Sequence, residues 1–262
     1  MTTTTLDIRR PSPQVAEVYL NRPELRNAFN DDVIAELSAA FAAFADDVEL
    51  RAVVLGGHGK AFCAGADLAW MRAMADYDWA RNRADAQALA DMLWTVQNCP
   101  VPVVGRIHGD CYAGGVGLAA VCDVLVAAEG VQFCLSEARL GLLPATIGPY
   151  VIRALGERAA RRWFTTAERF DAAAAQALGF VHERVPAAAL DERIGQIVGA
   201  IVGNGPAAVR ACKRLVFDLA GRELDAELRA DTARRIADVR ASAEGREGVQ
   251  AFLDKREPSW RC

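Results

Sequence analysis

Twice in this chain a short apolar run, rich in β-branched residues, is delivered into a corner of small residues, and that pattern limits the folds open to it. Ala52-Val53-Val54-Leu55 is followed shortly by Ala64-Gly65-Ala66, after which an apolar segment begins. Val101 to Ile107 leads to Gly114 and Gly115, where a strand must hand over to an apolar helix, Val116 to Cys122. Backbone N–H groups at a helix start lack internal partners, and glycine lets a ligand approach them closely. One such corner is as readily a tight turn. Two of them can aim two N–H donors at one oxygen, the arrangement that stabilises a developing oxyanion. Beyond the second corner the chain reads as short helix, buried strand, second strand and then Ser136-Glu137.

The remaining elements follow from periodicity. Leu6 to Arg10 and Val15 to Leu20 alternate around Pro11-Ser12-Pro13 and predict a hairpin. Asn30 with Asp31 and Asp32 predicts a helix start, and Val33, Leu37, Phe41 and Phe44 then share one face as a core stripe. Residues 72–98 carry helical spacing (Leu89, Met92, Leu93, Val96) that ends before Pro100. Tyr150 to Leu155, Arg158 to Phe164 and Asp171 to Leu178 predict helices, the last closed by Gly179, and Phe180 to Val185 one more strand. From Leu190 onward the pattern is helical over 190–202, 206–219, 223–242 and 245–254. The expectation is an α/β core over 1–199 and an α-helical region over 200–262. Periodicity does not choose between a doubly wound sheet and a spiral of strand pairs.

Composition narrows the function classes. A hydrophobic fraction of 52% is ample for a large core, and a net charge of −4 without a basic, aromatic-interleaved patch gives no nucleic-acid footprint. The seven cysteines (Cys63, Cys99, Cys111, Cys122, Cys134, Cys212, Cys262) are odd in number and lack CxxC spacing, which predicts reduced thiols. Cys111 lies in the second corner with nothing nearby in sequence to activate it, so packing is its expected role. The three histidines form no metal-ligand pattern, no apolar run reaches transmembrane length, and MTTTT lacks the regions of a signal peptide. The expected compartment is the cytoplasm, with no membrane contact.

AGAD after a strand, a Gly-Gly corner followed by Cys122-Asp123, and Phe133 four residues before Glu137 resemble, in order and spacing, the enoyl-CoA hydratase/isomerase (crotonase) superfamily. The resemblance runs from LNRPELRNAF at Leu20 to EGREGVQAFLDKREP ending at Pro258. FCAGADLAWM, AGGVGL and FCLSEARLGLLPATIGPYV are similar, more narrowly, to bacterial 3-methylglutaconyl-CoA hydratases of leucine and isovalerate breakdown. The resemblance implies a crotonase-like spiral of ββα units with a C-terminal helical trimerisation region, assembled as a homotrimer or a dimer of trimers. It implies an acyl-CoA substrate and no separate cofactor, coenzyme A entering as part of the thioester.

By the same resemblance the donors are the N–H groups of Ala66 and Gly114, and Glu137 is the acid/base. Read by itself, Glu137 is equally an ordinary first-turn acid behind Ser136. Leu25, Arg26, Ala64, Asp67, Leu68, Phe252 and Lys255 match regions that meet the thioester, although a solvated surface is the plain reading of Arg26 and Lys255. Asp67 is also expected to bond local N–H groups. Trp70 and Met71 read as acyl-pocket wall or core. The family pattern is broken at Gly117, where ordinary hydratases carry another glutamate. Gly117 is expected to open space for a branched acyl group, and either Glu137 alone takes a proton from water and returns it to Cα on the same face, or Asp110, Tyr112 or a bound water helps it. Arg72, Arg81, Arg83 and Arg139 are candidates for a second substrate carboxylate. Two other functions share these residues: a Δ3,Δ2-enoyl-CoA isomerase that needs one base, and a non-catalytic acyl-CoA-binding protein.

Overall fold

The computed structural model describes residues 5–261; Met1–Thr4, which carry most of the MTTTT start considered above, and Cys262 lie outside the described residues. The expected hairpin forms from β1 (Leu6–Ser12) and β2 (Val15–Leu20), antiparallel. Helix α1 (Asp31–Ala45) starts where Asn30 Oδ1 accepts the Val33 N–H at 3.0 Å, and its stripe Val33, Leu37, Phe41 and Phe44 is buried. From there the chain repeats one manoeuvre, strand, short strand, helix. The first pass is β3 (Ala52–Gly57), β4 (Ala61–Cys63), then α2 (Leu68–Met74) and α3 (Trp79–Gln97). The second is β5 (Val103–Ile107), β6 (Asp110–Tyr112) and α4 (Gly114–Ala120); the third is β7 (Val124–Ala128), β8 (Gln132–Cys134), then α5 (Gly148–Leu155) and α6 (Glu157–Thr166).

The long strand of each pass joins one sheet, ordered β1-β2-β3-β5-β7-β10, and the short strand joins a second, ordered β4-β6-β8-β9. Strands β9 (Arg169–Asp171) and β10 (Glu183–Val185) flank α7 (Ala172–Ala177). Putting each pass into both sheets makes the architecture a spiral of strand pairs rather than a doubly wound sheet. All six positions of β3 are buried, as expected for a parallel strand covered on both faces. Helix α8 (Leu190–Val202) packs on β3, β5 and β7. Three more helices follow, α9 (Pro206–Leu219), α10 (Ala226–Ala241) and α11 (Ala243–Leu253). Among the described residues no helix is long and apolar enough to cross a membrane.

Several expectations need correction. Strands β4, β6 and β9 were not foreseen; at three residues each they are too short to register an alternating period. The helix expected over 72–98 is two helices, because Asp78 accepts the Arg81 N–H at 2.8 Å and caps a new one. Helix α4 starts at Gly114, not Val116. The strand expected from Phe180 is shorter, since the N–H groups of Phe180 and Val181 both bond the Ala175 carbonyl behind Gly179. The boundary expected at 199/200 falls inside α8; the chain leaves the sheet only at the break before α9.

Candidate functional site

Strands β4, β6 and β8 lie side by side and parallel, so their C-terminal ends share one edge of the second sheet. Open parallel sheets place ligands at that edge. Here β4 runs into Ala64-Gly65-Ala66-Asp67, β6 into Ala113-Gly114, and β8 within three residues into Glu137. The first two corners touch. Gly65 has φ +92°, and a Cβ built on it would stand 2.9 Å from the Ala113 Cβ and 3.3 Å from the Tyr112 carbonyl oxygen. Only glycine permits both the backbone angle and the approach. Ala113 itself has φ 46° and ψ −120°, a conformation that costs an L-residue about 1–3 kcal/mol. Its N–H donates to the Cys134 carbonyl at 2.8 Å, tying the Gly114 corner to the strand that leads to Glu137.

Backbone geometry leaves an amide free at each corner. Phe29 and Ala66 form a parallel bridge, with the Phe29 N–H donating to the Gly65 carbonyl and the Asp67 N–H to the Phe29 carbonyl, each at 2.7 Å. That pairing uses the residues on either side of Ala66 and leaves its own N–H unused. Gly114 opens α4, and the residue before it offers no side-chain cap. Among the described residues neither N–H has a hydrogen-bond acceptor.

The first corner is held by bonds that the sequence showed only in part. Asp67 does bond local N–H groups: its Oδ1 accepts from Ala69 at 2.7 Å and Trp70 at 3.3 Å, capping α2. Its Oδ2 accepts from Arg22 Nη2 at 2.7 Å, a partner 45 residues away that went unforeseen. Burial works to raise the Asp67 pKa, but the Ala69 N–H, the Arg22 guanidinium and the Trp70 N–H outweigh it, and the net direction is down. Buried Asn27, in the left-handed region at φ 56°, donates to the His58 and Ala61 carbonyls at 2.8 Å and accepts the Arg22 N–H at 2.9 Å. Its neighbour Arg26 accepts the Ala64 N–H at 3.0 Å through its carbonyl. Leu25, Arg26, Ala64, Asp67 and Leu68 are thereby gathered at one corner, with Leu25, Arg26 and Leu68 exposed.

Glu137 is the first residue of a 3-10 turn, Glu137–Leu140, that ends at Gly141 with φ 71°. An ordinary first-turn acid would be solvated. Instead the Glu137 Oε2 is fully buried without a hydrogen-bond partner. Burial pushes its pKa up, with only its own backbone N–H pulling the other way. A carboxyl lifted in this way suits proton transfer nearer neutrality.

Other candidates separate. Tyr112 interacts with Asp110, two residues before it on β6, and the Arg169 guanidinium lies 5.5 Å from its ring centroid. Burial is the largest cause of its raised pKa, and Asp110 adds to it. Arg139 donates to the Ala167 carbonyl, and Arg81 lies 3.8 Å from the Tyr77 ring centroid, so both are engaged; Arg72 and Arg83 are exposed. Cys111 is fully buried with its thiol pushed well up, and Cys63 is pushed up to about 12, the state of packing residues. Phe252 is 82% exposed at the end of α11, Lys255 follows it, and α11 packs on α9 and α10. The space expected beside Gly117 is not open: a Cβ there would meet Ile147 Cγ2 at 2.1 Å and Ile147 Cβ at 2.5 Å. Ile147, Arg22 and Asn27 are the residues that sequence reading missed. The RPELRN run was signal enough for the last two, whereas nothing local pointed to Ile147.

Comparison with known proteins agrees with this architecture. Residues 11–262 match the family described as Enoyl-CoA hydratase/isomerase. The 2,3-dehydroadipyl-CoA hydratase of Escherichia coli is 32% identical over 251 residues, covering 95% of each chain. The crystal structure of an enoyl-CoA hydratase from Shewanella pealeana superposes with a TM-score of 0.95 at 37% identity, over 99% of this chain and 97% of that one. AtuE of Pseudomonas aeruginosa gives 0.94 at 39% identity, over 98% of this chain and all of that one, 100%. With one family matched along nearly its whole length and the same fold at these identities, the chain belongs to the enoyl-CoA hydratase/isomerase family.

Proposed function

We propose that this protein is an enoyl-CoA hydratase acting on a branched, acidic enoyl thioester of the 3-methylglutaconyl-CoA type. The observation that carries this reading is the common edge of β4, β6 and β8, which carries two touching corners with unused amides and a carboxyl with one buried oxygen left without a partner. The thioester oxygen accepts from the Ala66 and Gly114 N–H groups. Glu137 takes a proton from water as the water oxygen bonds Cβ. The Cα–Cβ π pair moves toward the carbonyl, whose oxygen gains the negative charge, and Glu137 then returns the proton to Cα. Each amide contributes on the order of 3 kcal/mol to that charge in comparable sites. Leu25, Arg26, Ala64, Asp67 and Leu68 flank the coenzyme A moiety, with Phe252 and Lys255 reaching it from the protein's own tail or from a neighbouring copy.

The acidic acyl group draws support from the name of the E. coli relative, a hydratase of a dicarboxylic acyl thioester. Arg72 and Arg83 are exposed, the Arg83 guanidinium lying 5.7 Å from the Trp79 ring centroid, and both are candidates for that carboxylate. A homotrimer or dimer of trimers completes the reading, supported by apolar residues left exposed on α9 to α11, with the cytoplasm as the proposed compartment. A Δ3,Δ2-isomerase is the second reading, since one carboxyl is enough to shuttle a proton over an enolate. Incubation with 3-methylglutaconyl-CoA in heavy-oxygen water separates the two: hydration puts the label into product, and isomerisation does not. Glu137→Gln is expected to lower turnover on the order of 10²–10⁴-fold with thioester binding retained. An equally active variant removes Glu137 from the mechanism.

A further inference from the structure

Gly117 lies three residues beyond Gly114 on α4, and residues three apart share a helix face. Helical Cα–Cβ bonds tilt toward the N-terminus, so the side-chain space of Gly117 points back toward the end of α4 that carries the Gly114 amide. Three residues advance a helix only about 4.5 Å. That space is filled from another element. Ile147 Cγ2 stands 2.1 Å, and Ile147 Cβ 2.5 Å, from where a Gly117 Cβ would be. Any side chain at 117 and the γ2 methyl of Ile147 therefore exclude one another.

Ile147 cannot easily yield. It is 2% exposed, and its carbonyl accepts the Tyr150 and Val151 N–H groups at 3.1 and 3.0 Å at the start of α5, which packs on α4. A β-branched side chain is also stiff about χ1, so its γ2 methyl is a fixed obstacle. The residue reaches this place through the same segment that carries Glu137: β8, the 3-10 turn, Gly141, and then the entry to α5. One stretch of chain thus supplies both the carboxyl and an apolar stop.

We propose that Ile147, seated in the space that Gly117 leaves, is the residue that sets how large a branch the substrate can carry on Cβ beside its main chain. The inference rests on the hydratase reading, because it takes the thioester oxygen to lie on the Gly114 amide. From there Cβ is two bonds beyond the carbonyl carbon, and what it carries meets the α4 face one turn along. The γ2 methyl admits a methyl branch and stops a longer one.

The test uses (E)-3-methylpent-2-enoyl-CoA and 3-ethylpent-2-enoyl-CoA, which share an ethyl in the main-chain direction and differ by one methylene in the branch on Cβ. Ile147→Leu removes the γ2 methyl at constant volume, Ile147→Ala removes it outright, and Ile147→Val keeps it. The ratio of kcat/KM for the longer over the shorter thioester should rise about tenfold or more in Ile147→Leu or Ile147→Ala, the effect expected for one methylene in an apolar pocket. It should stay within about threefold of the parent in Ile147→Val. Folded, active Leu and Ala variants with the parental ratio overturn the proposal and make Ile147 a packing residue. If the parent protein hydrates neither of these thioesters, its activity on 3-methylglutaconyl-CoA decides the hydratase reading, which fails if that too is left unhydrated. The steric claim is then decided by the ratio of dissociation constants for the same two thioesters: a shift in the opened variants upholds it, and none overturns it.

Discussion

Two carboxylates at the site respond to pH in opposite senses. Burial raises the pKa of Glu137, so the folded state holds its proton more tightly than the unfolded chain does. Its linkage therefore lowers stability as pH climbs from the ordinary glutamate range through the raised folded value. Glutamine cannot ionise. The melting temperature of Glu137→Gln should draw ahead of the parent across that window, and the gap between the two should level off below it. A gap of constant size at every pH would show that burial of the charge is not what distinguishes this carboxyl. Asp67 runs the other way: its lowered pKa contributes stability above the ordinary aspartate range, lost as pH falls through the folded value. At Gly117, alanine should cost about 1–3 kcal/mol in urea unfolding, the usual penalty of overpacking. A neutral substitution would mean that Ile147 moves aside, against its burial at 2% exposure.

At the scale of elements, the corner after β4 is clamped by one stretch of chain, 22–29, and by the start of α2. Arg22 bonds Asp67, the Arg26 carbonyl accepts the Ala64 N–H, Phe29 bridges Ala66, and Asp67 caps α2. Arg22 and Asp67 are 16% and 8% exposed, so their pair is screened little by solvent. Asp67→Ala should therefore destabilise by about 3–5 kcal/mol, because the guanidinium is left buried without its partner. Urea unfolding followed by far-UV circular dichroism measures this. A loss below about 1 kcal/mol, the worth of a helix cap alone, would mean that Arg22 finds another acceptor. The strands that align the corners were illegible in sequence for a plain reason. Three residues complete barely one alternation, and Ala61-Phe62-Cys63 is buried at every position, so no polar face marks it.

Over the whole molecule, the spiral and the helical tail are joined by cations that reach from each to the other. Lys213 on α9 meets Asp123 at 2.7 Å and the Val101 carbonyl at 3.2 Å; Arg210 meets the Asp47 and Leu50 carbonyls at 2.9 and 3.0 Å. Arg51 meets the carbonyls of Val202 and Trp260, both at 3.0 Å. The tail is thus docked, yet Val216, Leu224, Val249, Phe252 and Leu253 remain exposed on it. Single apolar residues on a surface need no explanation, but several on consecutive helices mark an interaction face. Val249→Asp should leave the unfolding free energy of the single chain within about 0.5 kcal/mol, as exposed substitutions do, while dispersing the proposed trimer. Sedimentation showing the same mass for both forms would move the interface elsewhere.

The sequence by itself determined what is local. It encoded the α1 stripe, the corners of small residues, the helical tail and the Asp67 cap, because each depends on neighbours within one turn or one strand. The spiral and the roles proposed for Ala66, Gly114 and Glu137 rest on resemblance, not on periodicity. Only the tertiary structure decided which groups meet. Gly65 against Ala113, Arg22 against Asp67, and Ile147 in the space of Gly117 are contacts between residues 30 or more apart in sequence. They are fixed by the pairing of strands too short to leave a period and by close packing, which fills whatever volume a missing side chain leaves.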